Sequence, residues 1–127
     1  MPVWAAAGLD VVLVLVFAAV GRASHWGHLP LAGEEAGPVV GVLLTAWPFL
    51  VGVAAGWALV RARSGRWPLW LGAGIPVVAC AVVVGMLLRV ATGAGTTDSF
   101  VLVATTVLAV LLLGWRALAA RRSADAT

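Results

Sequence analysis

Apolar residues run along this chain in four long blocks, separated by short polar segments. Crossing a hydrocarbon core of about 30 Å takes roughly 20 helical residues, and each block is about that long. They predict helices over 3–21, 38–60, 68–88 and 99–120. Strands are excluded, because polarity does not alternate along the blocks and an eight-strand barrel does not fit in 127 residues. Pro38 and Pro68 suit a first helical turn, where a missing N–H costs nothing. Asp98 or Ser99 can cap the fourth helix after the loop Thr92-Gly93-Ala94-Gly95. The pattern predicts an all-α fold: one polytopic membrane domain over residues 1–127, a four-helix transmembrane bundle made of two helical hairpins. The first block also fits the apolar core of a signal peptide, with Ala18 and Ala19 as its small residues. No basic residue precedes it, and Asp10 stands where a positive segment belongs, so a retained helix is expected.

Composition narrows the class. Apolar residues make up 63% of the chain and charged residues 10%, less than half the usual charged share. A soluble globule, a disordered chain and a cytosolic enzyme are excluded. Cys80 is the single cysteine, so neither an internal disulfide nor a cysteine-based metal cluster can form. The net charge of +3 invites a nucleic-acid reading. All the basic residues are arginines dispersed among helix ends, with no recognition helix or stacking platform, so nucleic acid is not an expected partner.

The arginines instead describe topology. Arg61, Arg63, Arg66, Arg116, Arg121 and Arg122 fall on one side of the four spans. Only Arg22 and Arg89 fall on the other, beside Glu34, Glu35 and Asp98. By the positive-inside rule both termini are expected in the cytoplasm. Trp4, Trp57, Trp67, Trp70 and Trp115 lie near the same inner boundary, as an interfacial belt would.

Small and kinking residues mark the packing faces. Gly41, Thr45, Pro48, Gly52 and Gly56 recur at helical spacing on the second helix, and Gly52 to Gly56 is a GxxxG pattern. In lipid, close backbone approach and dispersion hold helices together, and this face permits both. Its partner is either another helix of the bundle or a second copy of the chain. Gly72, Gly74, Ala79, Ala81 and Gly85 make the third helix similar, so the second and third helices are expected to pack as antiparallel neighbours. Pro48 and Pro76 fall in the middle thirds of these predicted helices, where each removes a backbone donor. Paired broken helices can mark a transporter site, but here kinks repaired by Thr45 or water are expected. A faint tandem repeat pairs Arg22 with Arg89, and Gly56-Trp57 with Gly114-Trp115.

Asp10 is the most informative single residue. A helix starting after it has about 11 residues before Arg22, roughly 16 Å, too short to span. Asp10 therefore lies within the membrane, where an unpaired carboxylate costs on the order of 2.5–3.5 kcal/mol. Arg116 lies at a similar depth in the fourth helix, and an Asp10–Arg116 pair facing the bundle interior is expected. Such a pair fixes helix register or serves a proton or substrate relay, unless the side chains snorkel to the interface instead. On the outer side Arg22, His25 and Arg89 form a polar cluster that can bind a lipid headgroup or brace the loops. His25 and His28 are three apart, but without a third ligand they do not define a metal site. No nucleophile elbow, phosphate loop or zinc-protease motif is present, so no catalytic residue, cofactor or metal is expected.

These residues carry a resemblance. Asp10, Gly21-Arg22 with Ser24-His25, Trp47-Pro48-Phe49, Gly56-Trp57, Gly85-Met86 with Arg89, Ser99-Phe100 and Gly114-Trp115-Arg116 stand in an order that resembles the domain of unknown function 3054 family. The resemblance runs from Asp10 to Arg116 and implies a small four-helix membrane protein of bacteria or archaea, with no assigned activity. The expected function is a non-enzymatic membrane protein: a scaffold, a partner subunit or a small transport component. Its partners would be membrane lipid, further copies of the chain or other membrane proteins. The alternative is a proton-coupled small-molecule exporter that uses Asp10, although the arginine bias opposes the dual topology of antiparallel exporter dimers.

Overall fold

Helices form where the apolar blocks predict them. The computed structural model describes residues 2–24, 38–93 and 98–126, and the side chains of 22–24, 38, 98–99 and 123–126 lie outside that description. Helix α1 spans Val3–Ser24, α2 Pro38–Ser64, α3 Gly74–Ala91 and α4 Asp98–Ala126, with no strand among the described residues. Four stretches of the described residues are long and apolar enough to cross a membrane: Val3–Gly21, Val39–Ser64, Leu71–Ala91 and Phe100–Arg122.

The helix ends follow local chemistry. α2 continues past residue 60 with Arg61 and Arg63 in its last turn, where cations oppose the carbonyl end of the helix dipole. Gly65, at φ 72°, stops it, donating its N–H to the Arg61 carbonyl at 2.9 Å. α3 stops in the same way. Thr92 donates both its N–H and its hydroxyl to Leu88 O, at 3.0 and 2.8 Å, and Gly93 follows at φ 79°.

The third helix differs from expectation at its start. Residues 67–70 are not helical, Leu71–Ala73 form a 3-10 turn, and the α-helix begins only at Gly74. Gly72 and Gly74 are poor helix formers, so nucleation falls to Pro76, whose ring favours a first turn. Pro76 thus sits near the helix start, not in its middle third, and removes no interior bond. Pro48 does lie inside α2. Thr45 does not offset the donor missing at Pro48: its hydroxyl donates to Gly41 O at 3.0 Å, one turn earlier.

The helices neighbour one another in chain order around the bundle, and α4 closes the ring against α1. The α2–α3 seam is the tightest. A Cβ on Gly52 would stand 2.6 Å from Ala81 Cα and 2.7 Å from Cys80 O, and one on Gly56 would stand 2.8 Å from Val77 Cα. The GxxxG face is therefore occupied by α3 of the same chain. Buried Gly41 and Pro48 and half-buried Thr45 continue that face.

Inside the ring, α1 contributes Ala6, Asp10, Val14, Phe17 and Ala18, and α4 contributes Ala104, Leu108, Leu112 and Arg116. The four-residue spacing puts each set on one helical face. Val12, Val16, Leu43, Val83, Leu87, Leu102, Val110 and Leu118 all point outward. Such an apolar exterior around a small-residue interior suits hydrocarbon solvent.

Candidate functional site

Asp10 and Arg116 sit on the inward stripes of α1 and α4, which touch directly. Both are buried, at 0% and 1% exposure. The guanidinium meets the carboxylate side-on: Nη2 donates to Oδ2 at 2.8 Å and Nη1 to Oδ1 at 3.1 Å. Two indoles complete the carboxylate's surroundings. Trp57 Nε1 donates to Oδ2 at 2.8 Å, and Trp115 Nε1 donates to Oδ1 at 2.7 Å. Each oxygen accepts two hydrogen bonds, about the full capacity of an ionised carboxyl group.

Arg116 is held as completely. Its Nε donates to Pro68 O at 3.0 Å, and Nη1 also donates to Leu112 O at 2.9 Å. The non-helical segment before α3 makes the first bond available, because Pro68 is turned inward outside any helical ladder. Gly74, at the start of α3, leaves room for the arginine stem: a Cβ there would lie 3.0 Å from Arg116 Cδ. No buried side-chain nitrogen or oxygen among the described residues lacks a partner.

One carboxylate thus joins α1 to α2 through Trp57 and to α4 through Trp115 and Arg116, while Arg116 ties in the connection to α3. The desolvation cost of two charges is offset only where geometry is good and the remaining donors are satisfied, and both conditions hold. The arrangement links α1, α2, α4 and the segment before α3 through one buried pair. It presents no free oxygen, nucleophile or open ligand position for chemistry. Trp115→Phe keeps the ring and removes one donor to a charged acceptor, so a loss of about 1.5 kcal/mol is expected in thermal or denaturant unfolding of the purified protein. An unchanged midpoint would mean that this bond contributes nothing.

Trp57 and Trp115 differ from expectation. Expected in an interfacial belt, they turn inward onto Asp10, and Trp57 is only 8% exposed. The duplicated Gly-Trp of the second and fourth helices was the available signal, since one indole from each meets one carboxylate oxygen. Trp4 is exposed, while Trp67 and Trp70 carry arginines: Arg61 Cζ lies 4.9 Å from the Trp67 ring centre and Arg66 Cζ 4.3 Å from that of Trp70.

The outer cluster is only partly in view. Arg22 lies in the last turns of α1 with its side chain outside the description, and His25, His28, Glu34 and Glu35 lie outside the described residues. Arg89 stands with Cζ 4.4 Å over the Phe100 ring. Phe100 joins Phe17 and Phe49, which meet edge-to-face at 5.1 Å, in an aromatic cluster between α1, α2 and α4. Gly85 admits the Phe49 ring, which a Cβ there would meet at 2.5 Å. No group of three or more metal-ligating side chains occurs among the described residues.

Four apolar helices around a neutralised ion pair define a multi-pass membrane protein. The chain belongs to the family described as Protein of unknown function (DUF3054), whose pattern it matches over residues 7–119. No curated protein and no solved structure matches it. The match takes in Asp10, Trp57, Trp115 and Arg116 alike.

Proposed function

We propose that this protein is a non-enzymatic multi-pass component of a bacterial plasma membrane, a scaffold or partner subunit with both termini in the cytoplasm. The observation that carries the reading is the closed state of Asp10. A relay carboxylate must exchange protons with water or cargo, and this one is buried with each oxygen accepting two hydrogen bonds. The orientation draws support from the arginines: Arg61 and Arg63 lie in the last turn of α2 and Arg66 just beyond it, with Arg121 and Arg122 near the end of α4.

Proton-coupled export is the second reading, and one observation favours it. Trp57 also lines an apolar groove of about 570 Å³ on the outside of the bundle, so a single indole separates Asp10 from that space. Reconstitution into liposomes with an imposed pH gradient and an internal pH dye separates the two. The scaffold reading predicts the same slow collapse of the gradient with and without protein. A fast collapse that disappears in Asp10→Asn would overturn it in favour of the exporter.

A further inference from the structure

We infer that the groove between α1 and α2 is a binding site for one anionic phospholipid, with an acyl chain along the groove and the phosphate at Arg61. Ala7 and Val11 form one wall, and Leu50, Ala54 and Ala58 form the other. All lie within the membrane-crossing stretches, so hydrocarbon is the medium that meets them. From Leu50 to Ala62 the groove follows α2 for roughly 18 Å at 1.5 Å per residue. That is close to one leaflet, half of a core of about 30 Å, and so the depth reached by a single acyl chain.

The polar end selects the headgroup. Arg61, Trp57 and Trp67 close the groove at the boundary end of α2. The guanidinium of Arg61 lies there with Cζ 4.9 Å from the Trp67 ring centre and donates to Gly65 O at 2.5 Å. Among the described residues no acid pairs with it: residues 38–93 contain neither Asp nor Glu, while Arg63 and Arg66 add to the positive charge nearby. Asp10 is fully engaged by its own four bonds. A held guanidinium beside an apolar trough at the interface complements a lipid phosphodiester with net negative charge. This lipid site stands whether or not Asp10 moves protons.

The test is native mass spectrometry of the full chain in detergent, titrated with phosphatidylglycerol or with phosphatidylcholine of the same acyl chains. One phosphatidylglycerol is expected to be retained about fivefold more tightly than phosphatidylcholine, the effect of one arginine at a charged interface. Arg61→Gln should lower phosphatidylglycerol retention to the phosphatidylcholine level. Ala54→Trp, which fills the trough and leaves the charges in place, should reduce retention of both lipids. Arg121→Gln should change neither. Equal retention of the two lipids by the unaltered protein would overturn the proposal, as would full retention in Arg61→Gln. Retention untouched by Ala54→Trp would assign the effect to diffuse surface charge and overturn the groove.

Discussion

Asp10→Asn and Arg116→Gln are each expected to destabilise the bundle by about 3–5 kcal/mol, the largest single-residue losses in this protein. Removing either partner leaves the other charge buried with no counter-charge. In Asp10→Asn the problem is compounded, because the new amide brings N–H donors to a place already supplied with four. The indoles of Trp57 and Trp115 and the two guanidinium nitrogens then compete for one carbonyl oxygen. In Arg116→Gln the carboxylate keeps both indoles, while Pro68 O and Leu112 O lose a charged donor. Denaturant or thermal unfolding in detergent, followed by tryptophan fluorescence, reads both losses. Unchanged midpoints in both variants would show that the pair does not hold the fold.

Gly52→Leu is expected to cost about 3 kcal/mol, at the upper end of what overpacking does. The nearest atoms to a new Cβ are Ala81 Cα, Cys80 O and Ala81 O, at 2.6, 2.7 and 2.9 Å. All three belong to the α3 backbone, so no side chain can rotate away, and α2 and α3 must separate instead. Gly85 offers a contrast, because there the obstacle is the Phe49 ring. Gly8→Ala is the control: its methyl would meet nothing within 4 Å, and the helix should lose no stability. A Gly52→Leu protein that unfolds with the wild-type midpoint would contradict the tight seam between α2 and α3.

Much of this was legible because lipid leaves so little polarity in the sequence. A lone acid inside an apolar block must find a partner, and Arg116 was the cation at matching depth. The small residues of α2 likewise marked a close contact, and the structure supplied the partner that the pattern left open. The indoles were harder. Tryptophan near a membrane boundary suits the interface equally well, and only the angular position on the helix decides between lipid and core. The inward stripes Ala6-Asp10-Val14 and Leu108-Leu112-Arg116 contain that angle for the charges. Trp57 lies four residues beyond Val53 on the buried face of α2, so the same spacing was available for it. Pro68 could not be foreseen as an acceptor. A backbone carbonyl leaves no mark in a sequence, and its role depends on α3 starting late, a contest between weak glycine propensities and proline geometry. The aromatic cluster under Arg89 was missed for a related reason: Phe17, Phe49 and Phe100 are far apart in sequence and ordinary in an apolar block.

Asp10 and Arg116 are expected to act as one unit in holding the helices together, and a double-mutant cycle reads that coupling. The unfolding free energies of wild type, Asp10→Asn, Arg116→Gln and the double variant are measured under the same conditions. The double variant buries no charge, so its loss should fall short of the summed single losses by about 2 kcal/mol or more. Losses that add to within about 0.5 kcal/mol would contradict the claim, showing two independent residues where the structure draws a pair.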